Sequence, residues 1–178
     1  MHKLLHAAVA PLIVLASSRT ASGLDLDNSG LLRTDTGLTY RAWLPKNFER
    51  QHGSVPLILF SHGFGGCAQQ SETLTKAFAA AGYAVLAPNH RDEGCARYLG
   101  KLTDALSASQ MRPDKPFTQP ALWSDTTEAN RRSDIEVLLQ YALTHAPYKD
   151  AIDQTHIGAI GHSLGGYTVL ALGGVWPR

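Results

Sequence analysis

Ser163 lies at the centre of the stretch whose residue types and spacing suggest covalent chemistry. Two glycines flank it in the pattern Gly-x-Ser-x-Gly, Gly161 before it and Gly165 after it. An Ile-rich apolar run, residues 157–160, precedes the pattern, and a helix-compatible run, residues 167–172, follows it. A sharp strand-to-helix turn here would hold the serine hydroxyl above a sheet edge as a nucleophile. Taken alone, the pattern also fits an ordinary glycine-rich turn.

The loop His62-Gly63-Phe64-Gly65-Gly66 is a second glycine-rich stretch, and it follows a nearly all-apolar run at residues 55–61. Such a run is typical of a strand covered on both faces in a parallel sheet. Glycines placed directly after it free the backbone to aim N–H groups rather than to carry bulk. The loop alone is weak support for any chemistry, but together with the serine pattern it is strong.

With these two motifs the sequence resembles the α/β-hydrolase family from about Thr39 onward. The similarity is to secreted serine esterases of the dienelactone-hydrolase, platelet-activating-factor-acetylhydrolase and polyester-hydrolase kind. It implies that Ser163 is the catalytic nucleophile and that the backbone N–H groups of Phe64 and Leu164 form the oxyanion hole. We interpret His62 as a structural histidine that braces the loop.

A serine hydrolase also needs a general base and an acid that orients it. His90 and Asp92 suggest such a pair, but in the resembled family this position is normally structural. The family order along the chain is Ser, then Asp or Glu, then His, and residues 164–178 contain none of the last three. We therefore expect the catalytic acid and histidine to be missing from this chain. Upstream histidines offer a less favoured rescue: His62, His90, His145, His156 and His162.

Strands and helices alternate along the sequence. Strands are predicted at 38–44 (an early edge strand), 55–61 and 83–88. The apolar run 157–160 that leads into Ser163 is predicted to be a later strand. This order predicts an α/β fold, a three-layer α/β/α sandwich with a mostly parallel sheet (the α/β-hydrolase fold), truncated after the nucleophile elbow. Both glycine-rich motifs then lie at the carboxyl ends of strands, where such sheets bind ligands.

Two helices are predicted to pack on this sheet. The first covers 71–81 and ends at Gly82, and the second runs from Asp125 or Thr126 to about Thr144. The expected buried face of the first consists of Leu74, Ala77, Phe78 and Ala81. That of the second consists of Ile135, Leu138, Leu139 and Ala142, whereas the charged residues beside it are interpreted as mostly solvated: Arg131, Arg132, Asp134 and Glu136.

The irregular segment 93–124 contains three prolines and connects two elements of the predicted domain. A connection this long in a compact domain is more often functional than idle. We expect it to supply substrate-pocket residues, with Trp123 as a candidate wall. The alternative is a surface excursion with Trp123 packed in the core.

The N-terminus reads as a signal peptide, because a short positive start precedes an apolar core and then small residues. We assign residues 1–23 to it and residues 24–178 to the N-terminal part of a hydrolase domain, which predicts a secreted or periplasmic protein. A buried first helix is the alternative, but His6 and Pro11 disfavour it.

Composition and charge limit the classes of binding partner and cofactor that the sequence favours. The 178 residues are 44% hydrophobic and 17% charged, with a formal net charge of +1, so nothing favours nucleic acid or an acidic membrane surface. No apolar run of membrane-spanning length is present. No metal-ligand cluster or phosphate-binding pattern stands out, so no cofactor is implied.

Two functional hypotheses follow. The favoured one is a carboxylic-ester hydrolase acting on a small-molecule or polymeric ester, with peptidase, thioesterase or lipase activity left open. The alternative is a non-catalytic hydrolase-like protein that binds a ligand or partner in the same cleft, or an inactive fragment.

Cys67 and Cys95 are the two cysteines of the sequence. In the sheet order of the resembled family, the strands that precede them are neighbours. The resemblance therefore implies a Cys67–Cys95 disulfide that anchors the glycine-rich loop, the alternative being two free buried thiols.

Overall fold

The computed structural model describes residues 31–92, 94–95 and 125–174. It contains five strands: β1 (Leu32–Arg33), β2 (Thr39–Trp43), β3 (Val55–Ser61), β4 (Ala84–Pro88) and β5 (Ile152–Gly161). Three α-helices accompany them: α1 (Glu72–Ala80), α2 (Asp125–Thr144) and α3 (Leu164–Leu172). Short 3₁₀ turns occupy Phe48–Arg50 and Lys149–Ala151. The expected signal peptide, most of the expected pocket segment and Trp123 lie outside the described residues.

The sheet is mixed rather than mostly parallel, which corrects the prediction from sequence. Its strand order is β1-β2-β4-β3-β5, and β3 pairs in parallel with both β4 and β5. The β1–β2 and β2–β4 pairings are antiparallel. β2 is therefore not an edge strand, because β1 covers its outer side. The order and hydrophobic pattern of the strands do not reveal which neighbour β2 pairs with or in which direction, so the sequence did not predict this antiparallel end.

Helices flank the sheet on both faces, as expected for an α/β fold. Along β3, Leu57 and Leu59 pack in the cluster that contains α2, whereas Ile58 and Phe60 pack in the cluster that contains Phe78 of α1. The alternation follows from the period of two in a strand. β3 is nearly continuous in its apolar residues because both of its faces are covered, as the sequence predicts.

The ends of α1 are close to the predicted ones, but its buried face is different. Leu74 is 45% exposed and Thr75 is fully buried, so the helix packs through Thr75, Phe78 and Ala79. The Thr75 hydroxyl donates to the Glu72 carbonyl, which satisfies its polar group inside the helix.

Gly82 ends α1 as predicted. It has a φ of +101°, its N–H bonds to Ala79 O, and the N–H of Tyr83 bonds to Phe78 O. These bonds form a Schellman cap.

α2 has the predicted bounds and buried stripe, but two charged residues interpreted as solvated are inside the protein. Ile135, Leu138 and Ala142 are buried against the sheet. Arg131 is only 1% exposed and Asp134 only 7%, whereas Arg132 and Glu136 face solvent as predicted. The buried stripe therefore continues toward the N-terminus of α2 as a polar extension.

The Cys67–Cys95 disulfide is confirmed, with the two Cα atoms 5.6 Å apart. Next to it the Gly94 N–H donates to the Gly66 carbonyl, so the end of the glycine-rich loop is tied to the segment after β4. In the part of the chain that the structure describes, no helix is long and apolar enough to cross a bilayer.

Candidate active site

Ser163 occupies a tight turn between the end of β5 and the start of α3. Its backbone has a φ of 51° and a ψ of −117°, a conformation that residues with a side chain rarely adopt. Such strain persists only where surrounding structure imposes it. The serine is exposed, and α3 begins at the next residue, Leu164. The Leu164 N–H, in the first turn of the helix, has no intrahelical acceptor.

The glycines around Ser163 explain how the turn is imposed. A Cβ on Gly161 would lie 2.1 Å from the Gly165 carbonyl oxygen. A Cβ on Gly165 would lie 2.0 Å from the Ser61 carbonyl oxygen. Neither distance is possible for a real side chain, so the start of α3 packs directly on the ends of β3 and β5 only because both positions are glycine. The close approach predicted from the sequence is present.

The glycine-rich loop after β3 lies beside this turn. The Gly66 N–H donates to the Gly63 carbonyl at 3.0 Å, which closes a four-residue turn with Phe64 and Gly65 in its middle. Gly65 has a φ of +64°, as a type II turn requires at this position. Gly63 approaches the imidazole of His162 so closely that a Cβ would lie 2.9 Å from Nδ1. The loop and the serine turn are therefore in contact.

His62 braces the loop from below, as interpreted from the sequence. The side chain is fully buried; its Nδ1–H donates to the Gly63 carbonyl at 2.7 Å, and its Nε2 accepts the backbone N–H of His90 at 3.1 Å. Burial first, then the neighbouring His90 and the positive charge of Arg131, lowers the pKa of His62 to about 3. The imidazole is therefore neutral, with one nitrogen donating and the other accepting.

His90 joins a buried chain that runs from Ser61 to Asp134. Its Nε2 lies 2.9 Å from Ser61 Oγ and its Nδ1 lies 3.0 Å from Asp134 Oδ2. Burial first, then the charge of Arg131, lowers the pKa of His90 to about 3, and burial raises that of Asp134 to about 6. A neutral His90 that donates to the Asp134 carboxylate and accepts the Ser61 hydroxyl satisfies all three groups.

The Ser61–His90–Asp134 chain has the composition of a catalytic triad but not its exposure. Ser61 and His90 are 0% and 1% exposed, so no substrate carbonyl could reach Ser61. His90 is a structural residue, in agreement with the interpretation from the sequence. Asp92, its expected partner in the rejected triad, pairs instead with Arg131 at 2.8 Å.

Arg131 is the site residue that sequence reasoning missed. Its guanidinium donates from Nη1 to the His62 carbonyl at 2.8 Å and from Nη2 to the Gly63 carbonyl at 3.3 Å. A signal was available: Arg131 precedes Ile135 by four residues and Leu138 by seven, which places it on the buried face of the helix. A charge on that face predicts a buried polar partner, here the carboxylate of Asp92.

The histidines considered as replacement bases are distributed over the molecule. His62 and His90 lie beneath the loop with both ring nitrogens hydrogen-bonded. His145 lies just after the end of α2, with its Nε2 4.0 Å from Asp35 Oδ2. His156 lies in the first half of β5, with its Nδ1 2.7 Å from Asp153 Oδ2. His162 packs against Gly63.

Comparisons with known proteins agree with this architecture. Residues 34–119 match the family described as platelet-activating factor acetylhydrolase, isoform II. That range includes the glycine-rich loop and ends before Ser163. No curated protein matches the chain.

Two solved structures are similar in fold at low sequence identity. One is the uncomplexed acylaminoacyl peptidase of Pyrococcus horikoshii, with a TM-score of 0.51 and 20% identity over 78% of this chain and 19% of that chain. The other is Thermogutta terrifontis esterase 2 phosphonylated by cyclosarin, with a TM-score of 0.51 and 16% identity over 83% of this chain and 47% of that chain. The chain thus spans between about a fifth and about half of the length of these two structures. The resemblance stated from the sequence is confirmed: this chain is similar to the platelet-activating factor acetylhydrolase isoform II family and carries part of the α/β-hydrolase fold.

Proposed function

We propose that the protein is a carboxylic-ester hydrolase in which Ser163 is the nucleophile. The observation that carries this proposal is the backbone of Ser163, held at a φ of 51° between a strand and a helix by two glycines that admit no Cβ. Strain of this kind at an exposed serine serves no packing purpose, whereas a nucleophile elbow requires it. The substrate would be a small-molecule or polymeric ester.

The neighbouring backbone would form the oxyanion hole. Ser163 Oγ attacks the ester carbonyl carbon, its proton passes to a general base, and the carbonyl oxygen becomes negatively charged. The N–H groups of Phe64 and Leu164 would donate to that oxygen, one from the loop and one from the start of α3. The alcohol then leaves with the proton, and water releases the acid from the acyl-serine.

The base and its acid partner are proposed to be groups other than His62, His90, His145 and His156. His62 and His90 use both ring nitrogens in buried bonds, and His145 and His156 pair with surface carboxylates. Residues 164–178 contain no Asp, Glu or His. The proposed catalytic unit therefore consists of Ser163 and the two N–H groups, in what we infer to be the N-terminal part of a hydrolase domain, residues 24–178.

The test is turnover of a short activated ester by the protein expressed from the complete gene, with Ser163→Ala as the variant. Alanine should leave the fold intact while removing nearly all turnover; about 10³-fold catalysis over water is expected to survive from the oxyanion hole and binding. A fluorophosphonate probe, whose phosphorus bonds to the serine oxygen as fluoride leaves, should label Ser163. Phosphonylation of the similar Thermogutta esterase supports this choice of probe.

The same measurements address the alternative of a non-catalytic binding protein. Wild-type protein that neither turns over esters nor reacts with the probe would contradict the proposed hydrolase. Full turnover by Ser163→Ala would show that another residue is the nucleophile.

Export to an oxidising compartment is part of the proposal. The signal-like residues 1–23 support it, and so does the Cys67–Cys95 disulfide, because such bonds persist in secreted and periplasmic proteins. Sequencing the N-terminus of the exported protein tests it, and an intact Met1 on the recovered protein would contradict it.

A further inference from the structure

The carbonyl of Gly63, in the glycine-rich loop beside the serine turn, accepts three hydrogen bonds. It receives the Gly66 N–H at 3.0 Å, the His62 Nδ1–H at 2.7 Å and the Arg131 Nη2–H at 3.3 Å. The preceding carbonyl, that of His62, receives the Arg131 Nη1–H at 2.8 Å. Two successive peptide planes of the loop are thus fixed by one guanidinium.

The direction of the Gly63 carbonyl determines the direction of the Phe64 N–H. Both belong to the same peptide unit, and no cis peptide occurs among the described residues. In a trans peptide the C=O and the N–H point to opposite sides. Because the carbonyl is directed at Arg131 in the interior, the Phe64 N–H is directed away from it.

Arg131 is itself held in place by the carboxylate of Asp92. The side chain is 1% exposed on α2, and Nη2 donates to Asp92 Oδ2 at 2.8 Å. A planar guanidinium can address two carbonyls and a carboxylate at once, which an ammonium cannot do in the same geometry. The charge-assisted bonds are stronger than neutral ones.

We propose that Arg131 is a positioning residue that, by bridging from α2 to the His62 and Gly63 carbonyls, aims the Phe64 N–H at the oxyanion. This role rests on the proposed esterase function. Oxyanion donors stabilise a transition state in proportion to how well they are preorganised. The loop is rich in glycine and its backbone is intrinsically flexible. Its preorganisation therefore depends on the groups that donate hydrogen bonds to its carbonyls.

The prediction is a loss in the chemical step rather than in substrate binding. Removal of an oxyanion donor costs about 10²–10³ in kcat, and a donor that is misaimed should cost less. We expect Arg131→Met to lower kcat by about 10–100-fold with KM changed by less than about threefold. Arg131→Lys should recover part of the rate, because the ammonium keeps the charge but not the fork.

The experiment uses the protein expressed from the complete gene. It measures kcat and KM for a short activated ester per active site, counted with a fluorophosphonate probe, and the melting temperature of each variant. Arg132→Met is the matched control. Arg132 is the next residue of α2 and is exposed, and the substitution removes the same positive charge as Arg131→Met. This control should keep the wild-type kcat.

The outcomes separate this role from a merely structural one. If Arg131→Met and Arg131→Lys lower the melting temperature but keep the wild-type kcat per active site, Arg131 only stabilises the fold and the proposal is overturned. If Arg131→Met does not fold, Arg131→Lys decides by the same criterion. If Ser163→Ala keeps full turnover in the same assay, the esterase proposal itself fails. If Ser163→Ala is inactive while both Arg131 variants are normal, only the role of Arg131 is wrong.

Discussion

The glycines of β5 and of the elbow face very different surroundings. Backbone atoms block a Cβ at Gly161 and Gly165, whereas nothing lies within 4 Å of the Cβ position at Gly158 in the same strand. We expect Gly161→Ala and Gly165→Ala each to destabilise the protein by about 3 kcal/mol or more, because strand and helix must separate. Gly158→Ala, the matched control, should stay within about 0.5 kcal/mol. Urea unfolding measures all three; a Gly165→Ala variant as stable as Gly158→Ala would contradict the packing.

The buried imidazole of His90 makes the fold sensitive to acid. The pKa of His90 falls from its ordinary 6.5 to about 3 in the folded protein, chiefly because of burial. A lowered histidine pKa gives stability that is complete above pH 6.5 and is lost as the pH falls toward 3. At pH 5 the loss from this one residue is up to about 2 kcal/mol. His62 acts in the same direction.

Two carboxyls oppose this effect without cancelling it. Burial raises the pKa of Asp134 from 3.8 to about 6 and also raises that of Glu128, so their protonation favours the folded state as the pH falls. The two histidine shifts are larger than that of Asp134, so stability should still decrease from pH 7.5 to pH 5.

Thermal melts of His90→Gln and of an exposed control test this prediction. The melting temperature of the wild type should fall between pH 7.5 and pH 5, and His90→Gln should be less stable at pH 7.5 but lose less on acidification. His52→Gln removes an exposed histidine and is the control, which should respond to acidification as the wild type does. Equal pH dependence in His90→Gln and the wild type would show that His90 is not the acid-sensitive group.

Helices show where reasoning from sequence succeeds. The bounds of α2 agree with those predicted from its apolar period, and the C-terminal end of α1 follows from the Gly82 stop. The buried face of α1 was wrong, because Leu74 has the hydrophobic side chain but Thr75 faces the sheet. Periodicity cannot separate two faces one residue apart when one candidate is a threonine that satisfies its own hydroxyl.

Some residues of the candidate site could also be predicted from the sequence, and others could not. Ser163 and the glycine-rich loop were found because backbone geometry demands glycine at fixed spacings. Arg131 and Asp134 were interpreted as mostly solvated, because charge is ordinarily a sign of exposure. Their burial depends on partners such as Asp92 and His90, which are distant in sequence and meet only in the folded chain.

The corrected face of α1 can be tested by two truncations. Leu74→Ala should change the free energy of unfolding by less than about 0.5 kcal/mol, because the residue is 45% exposed and lies outside the buried face. Phe78→Ala should destabilise by about 2–3 kcal/mol, since the ring packs against β4 and against Tyr83, with ring centroids 5.9 Å apart. Chemical denaturation measures both. Phe78 belongs to both the predicted and the observed face, so a loss at Leu74 as large as that at Phe78 would restore the face predicted from sequence.

At the scale of the whole molecule, the disulfide joins the loop of the candidate site to the segment after β4. Cys67 and Cys95 are separated by 28 residues, and closing such a loop stabilises by about 3–4 kcal/mol in the chain-entropy account. The Cys67→Ser/Cys95→Ser double variant should unfold at correspondingly lower denaturant, and the wild type in reductant should match it. A reductant that destabilises the double variant equally would point to an effect unrelated to this bond.

β5 forms one edge of the described sheet, because it pairs only with β3. Five of its ten residues are exposed, among them Ile157 at 37%, and on the adjacent α3 Leu170 is 50% exposed. A long apolar edge strand is a template for pairing with another chain. We therefore expect the 178-residue chain, expressed alone, to self-associate through β5.

Size-exclusion chromatography with light scattering over a range of protein concentrations measures this association. Ile157→Lys should shift the chain toward monomer, because a lysine on an edge strand disfavours pairing. Gln154→Lys adds the same charge to β5 at an already exposed polar position where the ladder to β3 is interrupted, so it should leave association unchanged. A wild-type chain that stays monomeric at tens of micromolar, or equal behaviour of the two lysine variants, would show that the β5 edge does not drive association.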